Sequence, residues 1–84
     1  MPGMGSDVDD SDQRLELRDG TARYADGRLK FTGTYLGDDM HGEWSWYRTD
    51  GSLMRTGAFD RGRQIGVWRT YDRSGAVVKE TTFS

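Results

Sequence analysis

The sequence predicts an all-β protein, an antiparallel meander of β-hairpins that repeats every 24 residues. Three observations lead there. First, residues recur in fixed order at that spacing. Gly42-Glu43-Trp44 returns as Gly66-Val67-Trp68, Tyr47 as Tyr71, Gly51 as Gly75, Leu53 as Val77 and Phe59 as Phe83. Gly27, Leu29, Gly33 and Tyr35 anticipate Gly51, Leu53, Gly57 and Phe59. A period of this length marks stacked supersecondary units. Second, strand-like runs are separated by Asp19-Gly20, Asp26-Gly27, Asp50-Gly51 and Ser74-Gly75. These dipeptides favour tight hairpins because glycine accepts positive φ. Third, no stretch of useful length carries a helical period.

Residues 1–13 come first. They hold Gly, Ser, Pro and four Asp, with one aliphatic residue (Val8) besides two Met. Such a segment buries too little to offset its ordering entropy, so a disordered acidic tail is expected there. Its Asp run does not fit a calcium loop: counted from Asp7, the sixth-position glycine is Asp12 and the twelfth-position glutamate is Arg18. Residues 14–84 form the expected repeat domain, with strands at about 14–18, 21–25, 28–36, 42–49, 52–60, 66–73 and 76–83.

Alternation assigns faces within these strands. Trp44 and Trp46 point one way, Glu43, Ser45 and Tyr47 the other. If Asp50-Gly51 is a two-residue loop, residues whose numbers sum to 101 lie opposite each other. Trp44 then faces Gly57, Trp46 faces Arg55 and Tyr47 faces Met54. An indole beside a glycine restores packing that the glycine lacks. In the next hairpin Trp68 faces Thr81 and Tyr71 faces Val78.

The pattern G-x-W-x-x-Y-x-x-x-G-x-[LV], then an aromatic and G-x-W again, reads here from Gly42 to Leu53, through Phe59, to Gly66-Val67-Trp68. It resembles the MORN-repeat variant found in many bacterial proteins, over about residues 20–84. The copy before Gly42 is degenerate, with Gly20 at the Trp position and Tyr24 one residue off register. The resemblance implies hairpins laid side by side as an elongated, single-layer, curved sheet. It implies a non-enzymatic protein engaged in scaffolding, self-association or binding of acidic phospholipid, some relatives being antitoxin or immunity partners of toxins. It supplies no catalytic residue and no cofactor.

Composition narrows the function further. The chain has 84 residues, 33% hydrophobic and 31% charged, with three Trp, four Tyr and no Cys. Without Cys there is no disulfide, Cys-based zinc site or thiol nucleophile. Residues 14–84 hold 12 bases and 10 acids, a net +2 too weak for a nucleic-acid domain. No apolar run suits a signal peptide or membrane span, so a cytoplasmic location is expected. Asp38, Asp39 and His41 offer two carboxylates and an imidazole. A lone imidazole without a second nitrogen or sulfur ligand is a poor metal site, and the stretch reads as a solvated turn. A single sheet offers no pocket to tune a general acid and base, so no catalytic residue is assigned.

Two surfaces remain. Trp44, Trp46, Arg55 and Trp68 form a candidate protein-interaction surface, since aromatics with Arg are the composition of interface hot spots. The competing reading makes the aromatic stripe the protein's own core. Arg61, Arg63, Arg69 and Arg73 form a candidate phospholipid contact, against the commoner role of charged edges that discourage aggregation. A protein partner is expected first, with a homodimer as one form of it, because a small sheet without staples leaves apolar surface and open edges.

Overall fold

The glycine turns set the architecture through one shared hydrogen-bond pattern. In the computed structural model, which describes residues 16–84, the Tyr24 N–H donates to the Arg28 carbonyl (2.8 Å) and the Gly27 N–H to the Tyr24 carbonyl (2.9 Å). The same two bonds recur with Arg48, Ser52 and Gly51, and again with Asp72, Ala76 and Gly75. Gly27, Gly51 and Gly75 hold φ values of 93°, 91° and 93°, where a side chain is strained. Asp26 and Asp50 fasten the first two turns, each Oδ1 accepting the N–H two residues on, from Arg28 and Ser52. In the third turn the carboxylate stands two places earlier, yet Asp72 Oδ1 accepts the equivalent Ala76 N–H (3.0 Å).

The described residues form one open antiparallel sheet and no helix. Its strands are β1 (Leu17–Asp19), β2 (Ala22–Arg23), β3 (Leu29–Leu36), β4 (Asp39–Tyr47), β5 (Leu53–Asp60), β6 (Arg63–Tyr71) and β7 (Val77–Phe83). Neighbours follow the order β1-β3-β4-β5-β6-β7, with β2 also on β3. The thinnest extent is 11 Å, the depth of a single layer. The expected acidic tail, residues 1–13, lies outside the described residues.

Several local expectations are overturned. Asp19-Gly20 makes no hairpin. β1 and β2 lie in line along the same edge of β3, and the Gly20 N–H donates to the Gly33 carbonyl (2.9 Å). Asp19 is occupied locally, its Oδ1 accepting both the N–H and the hydroxyl of Thr21. β4 and β6 begin at Asp39 and Arg63, three residues earlier than expected, because their connections are tight two-residue turns at Gly37-Asp38 and Arg61-Gly62. Positive φ at both Arg61 (52°) and Gly62 (88°) is the signature of a type I′ turn.

The Asp50-Gly51 loop is not a two-residue loop either. Tyr47 pairs with Leu53, not Met54, and Tyr71 with Val77, not Val78. A bulge then inserts Met54 and Val78, which returns the register to its expected line. Trp44 therefore faces Gly57, Trp46 faces Arg55 and Trp68 faces Thr81, as the sequence predicts.

The rings, however, do not lean on those partners. Trp44 lies over Gly33 on β3, and Trp68 over Gly57 on β5. A methyl group added at either glycine would fall inside the indole, far closer than van der Waals contact. The backbone arranges this with a wide irregularity: Gly33 alone faces Gly42-Glu43-Trp44, and Gly57 alone faces Gly66-Val67-Trp68. Gly42 and Gly66 take φ of 79° and 72°, which re-aims the Trp two residues on. That is the physical meaning of G-x-W. Each indole N–H is satisfied, Trp44 by the Thr34 carbonyl (3.0 Å) and Trp68 by that of Ile65 (3.2 Å).

Trp44 is 1% exposed and Trp68 7%, and these two side chains are the buried hydrophobic core of the described residues. Phe31, Tyr35, Trp46 and Phe59 ring Trp44 at centroid distances of 5.3 to 6.3 Å. Gly20 closes the N-terminal side, since a Cβ there would meet Tyr35 Cε2 at 2.7 Å and Trp44 Cη2 at 2.8 Å. Contacts between turns tie successive hairpins. The Tyr24 hydroxyl donates to the Tyr47 carbonyl (2.8 Å), and 24 residues later the Arg48 guanidinium donates to the Tyr71 carbonyl.

Trp44→Ala is expected to cost about 3–5 kcal/mol and Trp46→Ala clearly less, because Trp46 is only half-buried. Denaturant melts decide between them, and equal losses would contradict the burial order. Gly57→Ala should cost at least about 3 kcal/mol through overpacking, against about 1–2 kcal/mol for Gly51→Ala, where only the backbone objects. Arg61→Asn should raise stability by about 0.5–1 kcal/mol, since Asn-Gly suits this turn better than Arg-Gly.

Candidate interaction surface

Strand pairing draws the aromatic face as a continuous row. Phe31 pairs with Trp46, Trp46 with Arg55, Arg55 with Thr70, and Thr70 with Lys79. Beside this row, Arg55, Thr70, Lys79, Gln64, Thr81 and Phe83 surround a shallow hollow of about 190 Å³ floored by Trp68. Arg55 and Lys79 flank it from β5 and β7, one strand apart on either side of Thr70.

The four residues expected as an interaction surface divide here. Trp44 and Trp68 are buried and act as core, so they present almost nothing to a partner. Trp46 is half-buried, with Trp68 and Trp44 at centroid distances of 5.4 and 6.1 Å, and Arg55 is exposed. Lys79 was missed from the sequence, although it stands 24 residues after Arg55 and the period carries that signal. The outer strand β7 was also missed as a surface. Its residues from Val77 to Thr82 are all exposed, and β6 is its partner among the described residues.

The four arginines expected to meet phospholipid are not brought together. Arg61 and Arg63 stand at one end of β6 and Arg73 beyond the other, roughly 30 Å away along a nine-residue strand. That separation exceeds the screening length of about 8 Å at physiological salt. Three of the four have carboxylate partners: Asp60 for Arg63 (3.8 Å), Glu80 for Arg69 (2.8 Å) and Asp50 for Arg73 (2.8 Å).

Asp38, Asp39 and His41 diverge as well. Asp38 lies 3.6 Å from the Arg18 guanidinium, and His41 Nδ1 accepts the Arg61 N–H (3.1 Å). Among the described residues no group of three or more His, Cys, Asp or Glu is placed to hold a metal ion, and no helix is long and apolar enough to cross a membrane.

Asp50 is the most perturbed of the turn carboxylates. The Ser52 N–H and hydroxyl hold its pKa down to about 2, with Arg73 adding to the effect. Asp19 and Asp72 are lowered too, chiefly by the Thr21 and Ser74 hydroxyls. No protein-family model, curated protein or solved structure matches the chain.

A lowered folded-state pKa stabilises the fold above the unfolded value and loses that contribution as pH falls through the folded one. Acid melts should therefore show stability declining from about pH 4 towards pH 2. Asp50→Asn should be less stable near neutrality and should flatten that decline; an unchanged acid profile would show that Asp50 carries no part of it.

Proposed function

We propose that this chain is a non-enzymatic protein-interaction module of the MORN-variant type, built of 24-residue hairpin repeats. It holds a partner protein along its aromatic face and its open edge, as an antitoxin-like, immunity-like or scaffolding component. The observation that carries this reading is the state of β7. Val77 and Val78 are 49% and 61% exposed on a strand with one free side among the described residues. A long exposed edge with apolar side chains is a template for strand addition.

Support for the repeat reading comes from recurrence in space. The two turn hydrogen bonds recur at residues 24, 48 and 72, and the indole-on-glycine contact recurs at Gly33 with Trp44 and at Gly57 with Trp68. Such units gain stability from their neighbours and leave terminal strands open unless something covers them.

A photo-crosslinking residue placed at Val78, in cells expressing the full chain, should yield an adduct with a second polypeptide. The same residue at Asp38, in a turn away from β7, should yield none. No adduct at Val78, or equal yields at both positions, would refute the reading.

A further inference from the structure

The edge at β7 is shaped to refuse one kind of strand and charged to attract another. On β3 and β5 the ring of the next strand's Trp lies on Gly33 or Gly57. The residue 24 positions after Gly57 is Thr81, on β7. A G-x-W strand docked on β7 as β4 docks on β3 would drive its indole into the Thr81 side chain. The opposite edge has lost the matching half of the contact. There Arg18-Asp19-Gly20 stands where Gly42-Glu43-Trp44 and Gly66-Val67-Trp68 stand in the sheet interior. Neither edge is built to continue the indole-on-glycine stacking, so a second copy docked in the same way is a poor occupant for β7.

Charge identifies a better one. Arg18, Arg28, Arg63, Arg69 and Arg73 each have a carboxylate within 4.0 Å, Arg48 has carbonyls, and Lys30 lies over the Tyr24 ring. Arg23 donates to the Gly27 carbonyl. Among the described residues Arg55, Arg61 and Lys79 have no such side-chain partner; Arg61 stands in the β5–β6 turn, whereas Arg55 and Lys79 flank the hollow above Thr70 and Trp68. A strand added to β7 would send alternate side chains to this face, next to Lys79, Thr81 and Phe83.

We propose that β7 receives an extended acidic segment of a different protein as an added strand, with a carboxylate directed into the hollow between Arg55 and Lys79. The proposal rests on the protein-interaction reading above and gives it a partner chemistry. Main-chain hydrogen bonds along the edge would supply affinity. The two cations select carboxylate over ammonium, and the Thr81 side chain, standing where Gly33 and Gly57 are bare, favours a smaller neighbour over a second indole.

Three synthetic peptides test it by amide chemical-shift mapping on the full chain: an eight-residue Thr/Glu alternation, its Thr/Lys counterpart, and a copy of residues 39–47. The Thr/Glu peptide should shift the amides of Lys79 to Thr82 and the Trp68 indole N–H, and the Thr/Lys peptide should not. Arg55→Ala with Lys79→Ala should weaken Thr/Glu binding about tenfold or more. Both residues are exposed, so an unchanged melt will show that the fold survives. The 39–47 peptide should bind the Thr81→Gly variant and leave the natural chain unshifted. Equal shifts from the acidic and basic peptides, no shift at β7, or full binding by the double variant would overturn the proposal. Binding of 39–47 to the natural chain would overturn the exclusion of a second copy. A peptide failure with the Val78 adduct intact sinks the acidic-strand proposal alone, whereas loss of the adduct sinks the underlying reading.

Discussion

The structure depends on two indole rings lying flat on two glycines. A single-layer sheet has no second layer to bury its apolar face, so its side chains must cover one another within the plane. Trp44 on Gly33 and Trp68 on Gly57 do this at close range. The glycine gives up a side chain so that a large ring can contact the backbone directly, and the ring shields that backbone from water. Positive φ at Gly42 and Gly66 is the backbone deformation that permits it. Three glycine or tryptophan positions thus act as one device: a donor ring, a hinge two residues before it, and a bare acceptor on the neighbouring strand.

Around that device the remaining aromatics form a chain rather than a globule. Edge-to-face contacts run from Tyr35 to Trp44, from Trp44 to Phe59, from Phe59 to Trp68 and from Trp68 to Phe83. Each hairpin leans on its neighbours alone, as expected of quasi-one-dimensional structures. The turns add a second line of coupling. Arg28 donates to the Thr49 carbonyl (3.1 Å), and Arg73 pairs with Asp50 (2.8 Å), so the three glycine turns are laced side by side. These are exposed interactions of small individual worth, and their role is alignment of one hairpin against the next.

The same economy explains the candidate surface. A sheet that spends its two largest rings on its own backbone has little aromatic area left for a partner. What remains is the half-buried Trp46, the Arg55–Thr70–Lys79 row and the edge of β7. Most other bases are engaged by carboxylates, carbonyls or a ring, and a partner would have to compete for them. The unengaged pair beside Trp68 is where an external carboxylate meets least competition.

Much of this was legible in the residues. The 24-residue period, the Asp-Gly dipeptides and the absence of helical spacing determined an all-β antiparallel sheet, because turn chemistry and alternation act over short sequence distances. The pairs Trp44 with Gly57 and Trp46 with Arg55 also followed, although by two compensating local features: a longer turn and the extra residue Met54. Only the tertiary structure decided which way each indole leans. The ladder places Gly57 opposite Trp44, yet a bulge at Gly42 turns the ring to Gly33. Such bulges change direction without changing composition, so no alternation rule sees them. Tertiary structure also decided that Asp19-Gly20 continues an edge instead of turning. Gly20 is required by the Tyr35 and Trp44 rings above it, and a glycine kept for close approach looks the same in sequence as one kept for a turn. The separation of Arg61 and Arg63 from Arg73 has the same origin, since residues close along a strand are held apart by its extended length.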